Sequence, residues 1–126
     1  MLHKVALGIR DISKYRLLMS GELMDETESL ARDLKGVRIC HINSTSFGGG
    51  VAELLNSYVP LVRSLGIHID WQAIHGDLRF FTITKAMHNA LQGGEINLTD
   101  RKKELYEEVI YENSIRNHLD HDVIII

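Results

Sequence analysis

The sequence predicts an α/β fold, a partial parallel sheet of three or four strands flanked by helices. Two observations carry that prediction. The β-rich run Val37–Ser44 leads through three consecutive glycines, Gly48, Gly49 and Gly50, into a helical pattern and then into a second β-rich run, Ile67–Ile74. Strand, glycine loop, helix, strand is a βαβ unit, and such a crossover implies parallel strands with a right-handed connection. Near the C-terminus, "HDVIII" is an uninterrupted apolar run that reads as a further strand, wholly buried.

Taken in order, Val5–Ile9 reads as a short strand or arm, and Asp11–Met19 as a short helix ended near Gly21. From Glu22 to Leu34, apolar Leu23, Leu30, Ala31 and Leu34 recur at helical spacing, and Gly36 stands where a left-handed C-terminal cap belongs. After the glycines, Val51, Leu54, Leu55, Tyr58, Val62 and Leu65 fall on one face of a helix ended by Gly66. Pro60 lies inside it and should bend its axis without breaking it, because it lacks the amide that would bond to the Asn56 carbonyl. "DLRFFTITKAMHNALQGG" predicts a helix over about 80–92, stopped by paired glycines and packed through Phe80, Ile83, Met87 and Leu91. A longer helix follows, with Thr99 as N-cap, Asp100 in its first turn and an apolar side of Leu105, Tyr106, Val109 and Ile110. Its charged run "DRKKELYEEV" reads as a solvated face.

The 126 residues suit one domain, 1–126, with an arm and helices over 1–36 and the βαβ core, two further helices and a terminal strand over 37–126. Composition is that of an ordinary globular chain, with 44% hydrophobic and 25% charged residues and a net charge of −3, so no nucleic-acid partner is expected. The single cysteine, Cys40, lies in an apolar run and reads as a buried small hydrophobe. With no apolar stretch near the roughly 18 residues a bilayer demands, and no secretory leader pattern, a cytoplasmic location without membrane association is expected. There is no internal repeat or low-complexity tract. The sequence stops on the apolar strand, which sets the expectation of either an incomplete domain or a sheet completed by another chain, as in a homo-oligomer.

The glycine loop is the first candidate site. Gly48, Gly49 and Gly50 would leave amides outward at the positive end of the following helix, which suits a diphosphate or a sugar hydroxyl. The same glycines also fit a tight turn without a ligand. The dinucleotide fingerprint fails, since Glu53 occupies the place of its third glycine, and no Gly-Lys-Ser/Thr follows as in a phosphate-gripping P-loop. In the next helix, Phe81, Thr84, Lys85 and His88 share a side, making Lys85, His88 and Asn89 candidates for acceptor or phosphate contacts, or else a solvated face. His118 and His121, with Asp120 between, lack the further ligands a metal needs, so no metal or cofactor is expected. His41 and His68 read as strand residues rather than bases. Asp70 follows the glycines by about the interval of a ribose-binding acid but sits within the strand pattern. Glu53 and Asp77 are isolated carboxylates with no partner for hydrolysis.

The segments "HINSTSFGGGVAELLNSYVPLVRSLGI" and "FFTITKAMHNALQGG", and less closely "ELYEEVIYENS", resemble the retaining glycosyltransferases of family 4, within them the archaeal-type trehalose synthases. The resemblance runs from "ARDLKG" to the last strand and includes the mid-helix Pro60. It implies two facing Rossmann-like domains (the GT-B arrangement), of which this chain is similar to the first half of the N-terminal, acceptor-side domain. It further implies transfer of glucose from nucleotide-diphosphoglucose to glucose, with retention, and places Gly48, Gly49 and Gly50 against the donor diphosphate or transferring sugar. The C-terminal, donor-holding domain would be missing, so no turnover is expected of this chain alone. A self-associating or sugar-binding module that kept the fold without catalysis is the alternative.

Overall fold

The structure, a computed structural model, describes residues 2–117 and 119–126. They fall into two compact units, His3–Ala73 with Leu119–Ile126, and Leu2 with the stretch from Ile74 to Asn117.

The first unit holds one sheet of β1 (His3–Lys4), β2 (Arg38–Asn43), β3 (His68–Ala73) and β4 (Val123–Ile125), in the order β1-β3-β2-β4. The last three run parallel, as the βαβ pattern demands, while β1 lies antiparallel beside β3 and makes the sheet mixed. This corrects the all-parallel expectation; of the two readings of Val5–Ile9 the arm holds, the strand lying just before it at His3–Lys4. Lys4 is set opposite Gln72, which brings its ammonium to 2.9 Å from Asp70 on the same face, and a charged pair at that register favours the antiparallel edge. Beyond Lys4 the pairing shrinks to the Val5 amide donating to the Trp71 carbonyl at 2.9 Å. At the Ile69 carbonyl the Arg63 Nε–H donates at 2.8 Å, standing in for a strand amide.

Helices α1 (Gly21–Asp33) and α2 (Gly50–Ser64) belong to the same unit, with a single 3-10 turn at Ile12–Tyr15 before them. The Ser20 hydroxyl accepts from the Leu23 amide at 3.2 Å, so Gly21 opens α1 instead of closing the preceding helix, which is reduced to that turn. In α1 the buried positions are Met24 and Ala31, while Leu23, Leu30 and Leu34 are exposed. The buried stripe of α2 is likewise rotated from the expected one. Ala52, Leu55 and Val59, with Val62 beside them, pack on Ile69 and Trp71, whereas Val51, Leu54 and Tyr58 are 60%, 63% and 42% exposed. Both stripes have helical spacing, and the small Ala52 lets the helix sit close on the sheet, something a count of large apolar residues overlooks. Pro60 is buried inside the continuous helix.

Along β3 burial alternates with period two, so Ile69, Trp71 and Ala73 face the core and Asp70 projects from the other face, level with Cys40. Cys40 is fully buried and its thiol is pushed up to about 11, chiefly by burial and then by the charge of Asp70. Around the Asp70 carboxylate stand the Lys4 ammonium at 2.9 Å, the Arg63 guanidinium at 3.0 Å and the His121 Nε2 at 3.4 Å. Strand β4 is fastened at its start by a reciprocal pair. The Arg38 amide donates to Asp122 Oδ2 and the Asp122 amide to the Arg38 carbonyl, each at 2.8 Å. The expected burial of the "VIII" strand is corrected, since Val123, Ile124 and Ile125 are each 42% exposed. At the end of the sheet order, β4 has among the described residues a neighbour on one side only.

In the second unit, α3 (Leu78–Leu91) and α4 (Asp100–Ile115) begin at the side-chain caps Asp77, accepting from the Phe80 amide at 2.9 Å, and Thr99, accepting from the Lys102 amide at 3.4 Å. They meet through Phe80, whose ring stacks on Tyr106 with centroids 5.8 Å apart and planes inclined by 14°. Phe80 and Ile83 are buried as expected, but Leu91 is exposed at the helix end. Neither unit contains a helix long and apolar enough to cross a membrane, among the described residues.

Asp70 makes the stability of the first unit depend on acid. Burial opposes its charge, but hydrogen bonds from Lys4 and His121 and the charges of Lys4 and Arg63 hold its carboxyl below the ordinary 3.8. A depressed folded value adds stability that is fully present above the unfolded value and is lost as pH falls through the folded one. Asp70→Asn should therefore lower stability by about 1–2 kcal/mol at neutral pH, discounted for the exposure of Lys4. The difference from the parent should begin to shrink as pH falls below about 4 and close only below the depressed folded value, in urea titrations repeated across pH.

Candidate functional site

The glycine loop lies where β2 ends and α2 begins. Trp71, wholly buried in β3, donates its indole N–H to Asn43 Oδ1 at 2.7 Å, which fixes the last residue of β2. Two residues on, the Thr45 hydroxyl donates to the Phe47 carbonyl at 2.8 Å and accepts from the Phe47 amide at 3.3 Å. That brace holds the Phe47 ring out in solvent, 80% exposed, immediately before the glycines. Gly48 and Gly49 then take φ of 71° and 82°, a region that L side chains rarely enter, so glycine is required at both by the backbone alone.

Gly49 is the N-cap of α2 and supplies no side-chain acceptor, so the opening amides of the helix are left for solvent or a ligand. A Cβ built at Gly48, Gly49 or Gly50 meets nothing within 4 Å. The loop is thus not roofed by the chain's own side chains. Two depressions of this unit lie elsewhere, one of about 600 Å³ around Lys4, Arg38, Asp70 and His121, the other of about 450 Å³ around Arg10, Tyr15 and Pro60. An open row of amides at the positive end of a helix can bind an anionic oxygen or a hydroxyl, and gains strength where a second surface excludes water.

Beneath α2, the His41 ring meets Tyr58 edge-on with centroids 5.8 Å apart. Burial lowers its pKa and its Nε2 is buried without a partner, so at neutral pH it is an uncharged packing residue. His68 is exposed on β3. Asp70, considered for a ribose, has its carboxylate taken up by Lys4, Arg63 and His121. Lys85, His88 and Asn89 are all exposed on α3 in the other unit, with His88 Nε2 at 3.2 Å from the Gln92 amide nitrogen. Of the "HLDH" stretch, His118 lies outside the described residues and His121 turns to Asp70, while Asp120 pairs with Arg38 at 2.7 Å. Among the described residues no three His, Cys, Asp or Glu side chains gather closely enough to hold a metal ion.

Residues 41–126 match the family profile "Trehalose synthase, N-terminal domain". The chain belongs to this family. It is 49% identical over 108 residues to a trehalose synthase of Pyrococcus horikoshii and 45% identical over 108 residues to that of Rubrobacter xylanophilus, covering 85% and 86% of this chain. A trehalose phosphorylase of Pleurotus sajor-caju is 29% identical over 113 residues, 86% of this chain and 15% of its own length. The chain spans 26% of the length of the two synthases. Its α/β organisation, a mixed sheet of four strands flanked by helices, is that of a partial Rossmann-like fragment.

The brace at Thr45, the Trp71–Asn43 bond and the buried Asn113 of α4 were not singled out from the sequence. Only the lone tryptophan gave a signal, since a buried indole needs an acceptor. The glycines themselves are tested by contrast. Gly49→Ala should cost about 1–3 kcal/mol from backbone strain, with no steric clash to add. Gly50→Ala, helical and uncrowded, should be neutral or stabilising by up to about 1 kcal/mol. Chemical denaturation of the two variants beside the parent measures both.

Proposed function

We propose that this chain is the N-terminal, acceptor-side portion of a retaining glucosyltransferase that forms trehalose from nucleotide-diphosphoglucose and glucose. The observation that carries the reading is the match to the trehalose synthase N-terminal domain over 41–126, which includes the glycine loop left open at the start of α2. In this reading the amides of Gly48, Gly49 and Gly50 face the donor diphosphate or the transferring sugar, and Lys85, His88 and Asn89 supply contacts to acceptor or phosphate. The leaving diphosphate gathers negative charge as the glucosyl group becomes oxocarbenium-like, and fixed amides stabilise that charge best in a water-poor cleft. With 26% of a synthase's length, the chain carries one wall of such a cleft and turns over nothing by itself. We place it in the cytoplasm, where nucleotide sugars are made.

The test is glucose-dependent release of nucleoside diphosphate from nucleotide-diphosphoglucose. No release is expected from the chain alone, and measurable release when it is mixed with the separately produced remainder of the Pyrococcus horikoshii synthase. A mixture that stays silent, although both parts are folded, overturns the reading.

One observation favours the second reading, a self-associating module. Among the described residues strand β4 pairs with β2 alone, and it is apolar on both faces. Such an edge is a template for another strand. If it is used, light scattering should show mass rising with concentration, and Ile124→Lys should return the chain to a monomer. A parent that stays monomeric at high concentration removes this reading.

A further inference from the structure

Asn113 is a buried polar residue, 7% exposed, set among the apolar positions of α4. Burying a carboxamide there is costly unless its groups are bonded, and a leucine would pack as well. All of its polar atoms are engaged. Its Oδ1 accepts from the His75 amide at 3.0 Å, and its Nδ2 donates to the His75 carbonyl at 2.8 Å and to the Val109 carbonyl at 2.7 Å. One side chain thus grips both backbone groups of a single residue in the loop before α3.

The neighbours of His75 are held as firmly. A Cβ on Gly76 would stand 2.5 Å from the Phe80 ring, so the loop is pressed against a side chain that is itself buried and stacked on Tyr106. Asp77 caps α3 and binds Arg79 at 2.7 Å. On this fixed backbone the imidazole of His75 is left in solvent. In the chain His75 follows the last residue of β3 by two positions. An imidazole can donate and accept at once, which suits a sugar hydroxyl.

We propose that Asn113 is a positioning residue and that the imidazole it presents, His75, contacts a hydroxyl of the sugar acceptor. The proposal rests on the glucosyl-transfer reading above and names one contact within it. Because Asn113 grips only the backbone of His75, His75→Ala removes the ring and leaves the clamp, so a purely structural loop would bind sugar unchanged.

The experiment titrates the 126-residue chain with glucose and follows the ring signals of His75 and the amide signals of Gly48, Gly49 and Gly50 by NMR. A saturable shift of the His75 ring is expected. His75→Ala should weaken glucose about tenfold, the value of one hydrogen bond, without moving the thermal midpoint, and His75→Gln should restore part of the loss. Asn113→Ala should shrink the ring shift; if that variant fails to fold, His75→Ala decides. Glucose binding unchanged in His75→Ala, or a still ring while the glycine amides move, overturns this proposal and spares the wider reading. If nothing moves, the proposal falls, and the wider reading is judged by nucleoside diphosphate release alone.

Discussion

The burial of Trp71 is the constraint on which the first unit depends. Its ring, wholly out of water, gives α2 a surface on which Ala52, Leu55 and Val59 can close. Its N–H cannot be left unbonded at that depth, and the acceptor it finds is Asn43, the last residue of β2. One side chain therefore sets how α2 lies on the sheet and where the strand gives way to the loop. The braced Thr45–Phe47 turn and the left-handed glycines follow from that endpoint. The open amides are a consequence of core packing as much as of glycine itself.

On the opposite face, beside the buried Cys40 and Ile42, charge ties distant segments together. Asp70 gathers Lys4 from the first strand, Arg63 from the end of α2 and His121 from just before the last strand. Segments far apart in sequence are thus fastened at one half-buried carboxylate. The reciprocal Arg38–Asp122 bonds then seat β4 in parallel register. Apolar packing thus holds α2 on one face, while on the other ion pairs fasten Lys4, Arg63 and His121 at Asp70.

The βαβ unit, both later helices and the cap at Thr99 were legible in the sequence, because strand alternation, glycine stops and cap residues are local signals; Asp77, read as an isolated carboxylate, is instead the cap of α3. The face of α2 was not. Val51-Leu54-Tyr58 and Ala52-Leu55-Val59 are equally periodic, and only the sheet beneath selects the second. The antiparallel β1 and the exposure of β4 were hidden for the same reason, since both are decided by partners distant in the chain. Of the candidate site, the glycines and their open amides could be read directly. Lys85, His88 and Asn89 could be read as sharing a helix surface, but nothing local says what that surface faces. The clamp at Asn113 was invisible, because an asparagine in a polar helix gives no sign that it is buried.

Cys40 is the sole sulfhydryl, set in the central strand β2, fully enclosed and with its acidity suppressed to about 11. Only the thiolate reacts readily with alkylating or oxidising agents, so the sulfur stays silent while β2 keeps its neighbours. Any labelling that does occur records moments when the sheet parts, which gives the molecule an intrinsic clock for its own opening that requires no engineered probe.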